Sequence, residues 1–123
     1  MLKNPINLLN KFSKFSDHWS PRVVAEMNDY QFKLAKIQNE FTWHSHLETD
    51  EVFLVIEGFM SIEFRDGKVD LAAGEMYVVP KGVEHKPEAS SEAHIMMVVP
   101  KGAGHTGTTQ SDMTVETSDQ EWI

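Results

Sequence analysis

The sequence contains no cysteine and no apolar run longer than five residues. Without thiols the chain cannot form a disulfide framework or a thiolate metal site, so any bound metal must be held by nitrogen and oxygen atoms. Apolar runs of this length are far shorter than the roughly 20 residues that cross a bilayer, which predicts no membrane partner. The N-terminus also lacks the apolar core and cleavage site of a secretory signal peptide, and we therefore predict a cytoplasmic protein.

Basic residues are also scarce. The 11 Lys and Arg side chains are outnumbered by 19 Asp and Glu, which gives a formal net charge of -8. Such a surface repels a phosphate backbone, so we predict no nucleic-acid partner. A length of 123 residues with 41% apolar content fits one domain with a hydrophobic core.

Apolar residues near the N-terminus recur at spacings of three and four, as on one face of a helix. This period predicts a helix over residues 5–17, which Ser20-Pro21 would end. We assign residues 1–20 to this helical segment, 21–100 to a β-barrel, and 101–123 to an irregular C-terminal tail pinned by Trp122. The apolar residues are Ile6, Leu9, Phe12, Phe15 and Trp19.

Strand-like runs fill the middle of the chain, and turn signals rich in Gly, Pro, Asn and Asp separate them. The clearest hairpin turn is Asp66-Gly67, because a two-residue type I′ loop needs positive φ at both central positions. The pattern predicts an all-β sandwich or barrel. The predicted strands are 22–27, 30–38, 41–46, 51–57, 60–64, 69–71, 76–79, 85–87 and 93–99.

The strand predicted at 51–57 is apolar on both faces. Phe53 and Val55 point one way, whereas Val52, Leu54 and Ile56 point the other. A strand of this kind is covered on both sides. One face would look into a barrel and the other would pack on a second sheet, a helix or another subunit, which favours a homodimer.

Four side chains have spacings that allow them to share one metal ion. His44 and His46 lie two apart and share one face of a strand. The polar run 47–50 must turn if Glu51 is to face the same side, and His85 arrives from a distant strand. Imidazoles and a carboxylate suit one divalent transition metal ion, Fe, Mn, Ni, Zn or Cu, and in an octahedral arrangement four ligands leave two positions free. Two alternatives stay open: histidines exposed on a strand, or a barrel whose site is vacant or filled by water.

Two motifs around these residues resemble those of the cupin superfamily. The first, G-x5-H-x-H-x4-E-x6-G, ends at Gly58, and the second, G-x5-P-x-G-x2-H-x3-N, begins at Gly74. Two positions depart from the pattern, because Gln38 replaces the opening glycine and Ala89 the closing asparagine. The resemblance implies a cupin-type double-stranded β-helix, that is, a jelly-roll barrel with a short N-terminal helix. It also implies that the metal ligands are His44, His46, Glu51 and His85.

The flanking segments are similar to those of small stand-alone cupins that are often labelled mannose-6-phosphate-isomerase-like. That label reflects a shared fold and does not imply an activity. Our leading hypothesis is a metal-dependent enzyme of the oxygenase or isomerase type that acts on a small polar molecule. The alternative is a non-catalytic module that binds or senses a small molecule or the metal. No dedicated catalytic acid or base is visible in the sequence.

Several other residues have two interpretations. His94 is predicted to be a hydrogen-bonded core histidine, with a pocket base as the alternative. Phe41 and Trp43 are expected on the strand face opposite His44. Candidates for the pocket wall or the core are Phe53, Val55, Met76, Tyr77 and Met96. Residues that could either bind an anionic substrate or be solvated are Arg22, Lys33 and Lys36. Residues expected at the surface are His18 and His105.

Overall fold

The computed structural model describes residues 3–104, 107, 114, 116 and 120–123. One short helix precedes seven strands, which confirms the predicted all-β class. No helix in the described part of the chain is long and apolar enough to cross a membrane. The elements are α1 (Leu8–Phe12), β1 (Arg22–Met27), β2 (Tyr30–Glu40), β3 (Glu51–Glu57), β4 (Phe59–Phe64), β5 (Gly67–Ala72), β6 (Met76–Val79) and β7 (Lys86–Pro100).

Strand β7 organises the barrel. It is 15 residues long and pairs antiparallel with β2, β3 and β4. The strand order is β1-β2-β7-β3-β6, and β4 joins β5 to β7. Alternate residues of these strands point inward and form one apolar core, as the predicted jelly-roll barrel requires. That core includes Ile37, Phe53, Val55, Ile62, Ala93 and Ile95.

The prediction of two separate strands at 85–87 and 93–99 was wrong, because β7 is continuous. The polar stretch 88–92 resembles a loop in sequence, but Glu88 pairs with Glu40 of β2 and with Ser61 of β4. The pairing with β2 becomes irregular between Ile37 and Asn39, where Asn39 has a φ of 67°. The sheet therefore bends here without β7 being interrupted.

The prediction of a strand at 41–46 was also wrong. This segment makes only an isolated antiparallel bridge, between His44 and His85. Phe41 N donates to Pro87 O, 2.9 Å away, but no continuous ladder forms. Strict alternation of faces therefore does not apply to these residues.

The N-terminal helix is shorter than the predicted 5–17. The side chain of Asn7 caps it by accepting a hydrogen bond from Asn10 N (2.9 Å), and the Ser13 hydroxyl bonds to Asn10 O (2.6 Å) at its end. Phe12 and the non-helical Phe15 are both buried against the barrel. The apolar spacing thus identified Phe12 and Phe15 as packing residues, but Ile6 and Leu9 are exposed and the helical period stops at Ser13.

Two further predictions concern turns and the tail. The hairpin loop lies one residue earlier than predicted, because Phe64 pairs with Gly67 and leaves Arg65 and Asp66 in the loop.

The end of the chain is fixed to β1, where Trp122 forms a parallel bridge with Val23. The Trp122 ring itself stays 58% exposed, so backbone bonds make this attachment. Much of the predicted tail, including His105, lies outside the described residues.

Candidate metal centre

The four predicted ligands lie together inside the barrel, and all four are buried. One nitrogen or oxygen atom from each lies within 4.8 Å of the others. Around an octahedral ion with bonds of about 2.1 Å, neighbouring donors would be roughly 3.0 Å apart and opposite donors roughly 4.2 Å apart. A movement of a few tenths of an ångström per side chain would therefore complete such a site. The four residues are His44, His46, Glu51 and His85.

Backbone hydrogen bonds position these side chains. His44 and His85 exchange two bonds, of 3.0 and 2.9 Å, which holds their Cα atoms side by side. His46 O accepts from Gly82 N (2.7 Å), so the turn before His85 is fixed to the segment that carries His46. Asp50, in the loop before Glu51, accepts from Lys81 N at 2.9 Å. The loop at 47–50 lets Glu51, the first residue of β3, face the histidines.

Two imidazoles have their orientation set by main-chain carbonyls. Nδ1 of His44 lies 2.9 Å from Thr42 O, and Nδ1 of His85 lies 2.9 Å from Val83 O. A carbonyl oxygen only accepts, so each Nδ1 carries the proton. The lone pair is then on Nε2, the atom that would bind a metal.

Two of the four donor atoms also fit a cation because they lack hydrogen-bond partners, and the other two contact each other inside the cluster. Nε2 of His44 and Nε2 of His46 are buried without an aligned hydrogen-bond partner in the described structure. Oε1 of Glu51 lies 3.1 Å from Nε2 of His46 and 3.3 Å from Nε2 of His85. Buried polar atoms without partners cost free energy, which a bound cation would recover.

The electrostatics favour the ionisation states that metal binding needs. Burial, reinforced by the nearby His85, lowers the pKa of His44 to about 4. Burial raises the pKa of Glu51, but the contacts with His46 and His85 outweigh it and lower that pKa to about 2. At neutral pH His44 is therefore a neutral donor and Glu51 a carboxylate.

An apolar cavity of about 20 Å³ adjoins the cluster, with room for roughly one water molecule. Trp19 stacks on Phe41 with ring centroids 4.5 Å apart, and Phe41 meets His44 edge-on at 5.5 Å. Within the described structure, His44 and Glu51 are the only titratable residues in its wall. The lining residues are Trp19, Pro21, Ala35, Ile37, Phe41, His44, Glu51, Phe53, Pro87, Ile95 and Met97.

Several predictions about the pocket were wrong. Phe41 belongs to the cavity wall and does not face away from His44, because residues 41–46 are not a regular strand. Met76 is exposed on the outer face of the barrel, and Met96 packs there against the N-terminal segment. Phe53 does line the cavity, whereas Val55 and Tyr77 belong to the core around it. Sequence reasoning missed Trp19, since it was assigned to the helix.

The other candidate histidines lie near the N-terminal segment. His94 lies on the outer face, where it stacks on Phe12 at 4.7 Å and contacts Glu57 and Glu92, each at 3.3 Å. His18 binds the same Glu92 at 2.8 Å, close to the predicted surface position. None of these residues reaches the metal centre.

Two of the three basic candidates also bind the N-terminal segment. Lys36 donates to Phe15 O (2.6 Å), and Arg22 pairs with Asp17 (2.9 Å). Lys33 differs, because its side chain points to the interior of the barrel.

Comparisons with known proteins agree with this fold. Residues 31–101 match the family described as the cupin domain. A cupin-2 domain containing protein from Shewanella frigidimarina NCIMB 400 is 63% identical, with a TM-score of 0.77 over 77% of this chain and 93% of that one. The uncharacterised protein YdbB of Bacillus subtilis (strain 168) is 33% identical over 81 residues, which are 65% of this chain and 72% of YdbB.

A more distant structure shares the fold alone. It is hydroquinone 1,2-dioxygenase PnpCD in complex with Cd2+ and 4-hydroxybenzonitrile, which is 18% identical. The TM-score is 0.66, and the match covers 81% of this chain and 74% of that one.

Proposed function

This chain belongs to the cupin family, and on that basis we propose that it is a metal-dependent enzyme that acts on a small polar molecule. One observation carries the proposal: three histidines and a glutamate are buried together, with donor atoms within 4.8 Å of one another. Burying four such groups without a cation would cost stability. The mannose-6-phosphate-isomerase-like subtype stays a prediction from resemblance.

We propose that His44, His46, Glu51 and His85 hold one divalent ion of Fe, Mn, Ni, Zn or Cu. The bound ion would supply Lewis acidity or, if it is redox-active, dioxygen activation. Carbonyl acceptors at Thr42 and Val83 keep two of the imidazoles in the donor tautomer. The Glu51 carboxylate offsets part of the ion's charge, and four protein donors leave two octahedral positions for a ligand.

The apolar surroundings of the cluster are compatible with an oxygenase or isomerase type of reaction. The cavity wall is apolar apart from His44 and Glu51, so it excludes bulk water but offers no further side chain to move a proton. Without such a side chain, a reaction at the bound ion would depend on how the residues around the site orient the substrate. The fold shared with a dioxygenase is compatible with this proposal but does not specify the reaction.

The same lack of an acid or base favours a second candidate, a non-catalytic module that binds a small molecule. Iron-loaded protein incubated with diketones, thiols, phenols and keto sugars separates the two. An enzyme would consume one class of compound, with oxygen uptake if it is an oxygenase. A binding module would show saturable binding and leave the compound unchanged.

Metal content tests the site itself. We expect about one equivalent of metal in the wild-type protein, and a loss of at least about tenfold in metal affinity in His46→Ala and in His85→Ala, since each removes a donor. His18→Ala is the matched control, because His18 lies outside the cluster. Elemental analysis of the four untagged proteins measures the result. Equal metal content in all four would refute the site.

We further propose that two copies form a homodimer through the outer face of the sheet, where Met76 and Val78 are 56% and 45% exposed. Exposed apolar residues that lie together on one face are typical of association surfaces. A cytoplasmic location stays a prediction from the sequence.

A further inference from the structure

Lys33 is a cation inside the barrel. The alternation of β2 places Gln31, Lys33 and Ala35 on its inner face, and Lys33 is only 2% exposed. It pairs with Met97 of β7, which in turn pairs with Phe53 of β3. Both of those residues line the cavity beside the metal centre. Lys33 is therefore separated from the strand that carries Glu51 by β7 alone.

The ammonium group has few partners. Nζ of Lys33 donates to Ala103 O at 3.2 Å, and this is its one hydrogen bond within the described part of the chain. An ammonium has three N–H donors, and a buried charge is costly unless it is paired. Burial lowers the pKa of Lys33, and the negative charge of Glu51 opposes that effect only in part. Among the described residues, the interior thus holds a cation with one of its three N–H donors bonded.

Ala103, whose carbonyl accepts the Lys33 hydrogen bond, also lies at the protein surface. Residues 100–104 and Gly107 border an open groove of about 490 Å³, and His46 lies in the same groove. A molecule that reached the metal centre along this groove would pass the carbonyl that Lys33 binds. The carbonyl that Lys33 binds therefore lies in the same groove as His46, one of the candidate ligands.

We propose that Lys33 is a specificity-determining residue that receives an anionic oxygen, carboxylate or enolate, of a small molecule held at the metal centre. The inference rests on the proposed function and narrows its substrate class to anions.

The charges around the site support an anionic ligand. A divalent ion, Lys33 and Glu51 together carry a net charge of +2 in a poorly solvated interior. Once Glu51 donates to the ion, it no longer compensates Lys33 fully. A chelating dianion would balance the remaining charge and a monoanion would halve it, whereas a neutral ligand would leave all of it uncompensated at low dielectric.

The rival explanation is structural: Lys33 does no more than hold Ala103 in place. In that case the loss of Lys33 would affect every molecule that enters the groove, whatever its charge. A comparison of an anionic with a neutral ligand on the same metal-loaded protein therefore separates the two roles.

The test uses the full chain loaded with Co2+, with oxalate as the anionic probe and imidazole as the neutral one. Binding is followed by the visible absorption of cobalt, and elemental analysis checks the metal content. Lys33→Met removes the charge and the bond to Ala103, whereas Lys33→Gln keeps a donor. Lys68→Met, at an exposed position on β5, is the control for the loss of one positive charge.

We expect both Lys33 variants to hold as much cobalt as the wild type and to bind imidazole within about twofold of it. Their oxalate affinity should fall at least about tenfold, and Lys68→Met should bind oxalate like the wild type. Unchanged oxalate binding in either Lys33 variant would overturn the proposal, as would an equal loss for oxalate and imidazole. A wild-type protein that takes up no cobalt would instead refute the proposed function from which the inference starts.

Discussion

His44 illustrates how burial changes the acid–base chemistry of one side chain. In the metal-free protein its pKa falls from 6.5 to about 4, first through desolvation and then through the charge of His85. The unfolded chain therefore binds a proton more tightly than the folded protein between these two values. Stability is present above pH 6.5 and is lost as the pH falls toward 4.

We predict that His44 removes up to about 2 kcal/mol of stability between pH 6.5 and pH 5, at 1.36 kcal/mol per pKa unit. Urea unfolding in the presence of a chelator measures this dependence. His44→Gln should show a flatter profile over the same range. Both proteins have the same Asp and Glu residues, so the pH dependence that these carboxylates contribute cancels in the comparison. Parallel profiles for the two proteins would contradict the prediction.

At the level of single residues, the sequence predicts the members of the cluster better than their surroundings. His44 and His46 lie two residues apart, and a turn between His46 and Glu51 is enough to let Glu51 face the same side. The cavity wall depends on a segment that is not a strand, so alternation placed Phe41 on the wrong side. Lys33 has the sequence features of a solvated strand residue, and only the position of β2 against β7 shows that it faces inward.

Glycines at strand ends connect the elements of the barrel, and two of them allow a matched comparison. Gly58 and Gly74 have similar φ values, +90° and +86°. A Cβ added at Gly58 would lie 3.1 Å from Cα of Ala93 in β7, whereas one added at Gly74 would meet nothing within 4 Å. Both positions are strained for an L-residue, but only Gly58 also approaches another strand closely.

We predict that Gly74→Ala costs about 1–2 kcal/mol of stability, from backbone strain alone. Gly58→Ala should cost about 2 kcal/mol more, because β3, β4 and β7 must separate to admit the methyl group. The free energies of unfolding in urea provide the measurement. Equal losses in the two variants would show that the close approach to Ala93 has no energetic effect.

The sequence locates some elements accurately and misses others for identifiable reasons. The predicted bounds of β1, β3 and β6 agree with the structure, since turn residues flank each of these strands. Residues 90–92 at the centre of β7 are polar and exposed. They stay extended between Ala89 and Ala93, which both pair with β2. Such long-range pairing is not encoded in local composition, and neither is the early end of α1 at Ser13.

At the scale of the whole molecule, the outer face of the sheet contrasts with the inner one. The inner face carries the candidate metal centre and the core. On the outer face, Phe32, Val98, Val52 and Val78 form one apolar row across four paired strands. The next row is Leu34, Met96, Leu54 and Met76.

The N-terminal segment covers only part of these rows. Phe12 and Phe15 pack on Leu34, with Phe32 and Met96 beside them, which leaves the end at β6 open. A second copy related by a two-fold axis would place the same apolar residues against one another, since a two-fold interface is self-complementary. This geometry accounts for a strand β3 that is apolar on both sides.

We predict that the protein has twice the mass of its 14.0 kDa chain in solution, measured by light scattering during size-exclusion chromatography. Val78→Lys should shift the mass to that of one chain, because the ammonium would be buried unpaired between two apolar sheets. Phe59→Lys adds the same charge at an exposed apolar position on β4, away from these rows, and should leave the dimer intact. A wild-type monomer at every concentration, or a Val78→Lys dimer, would show that this face does not bind a second copy.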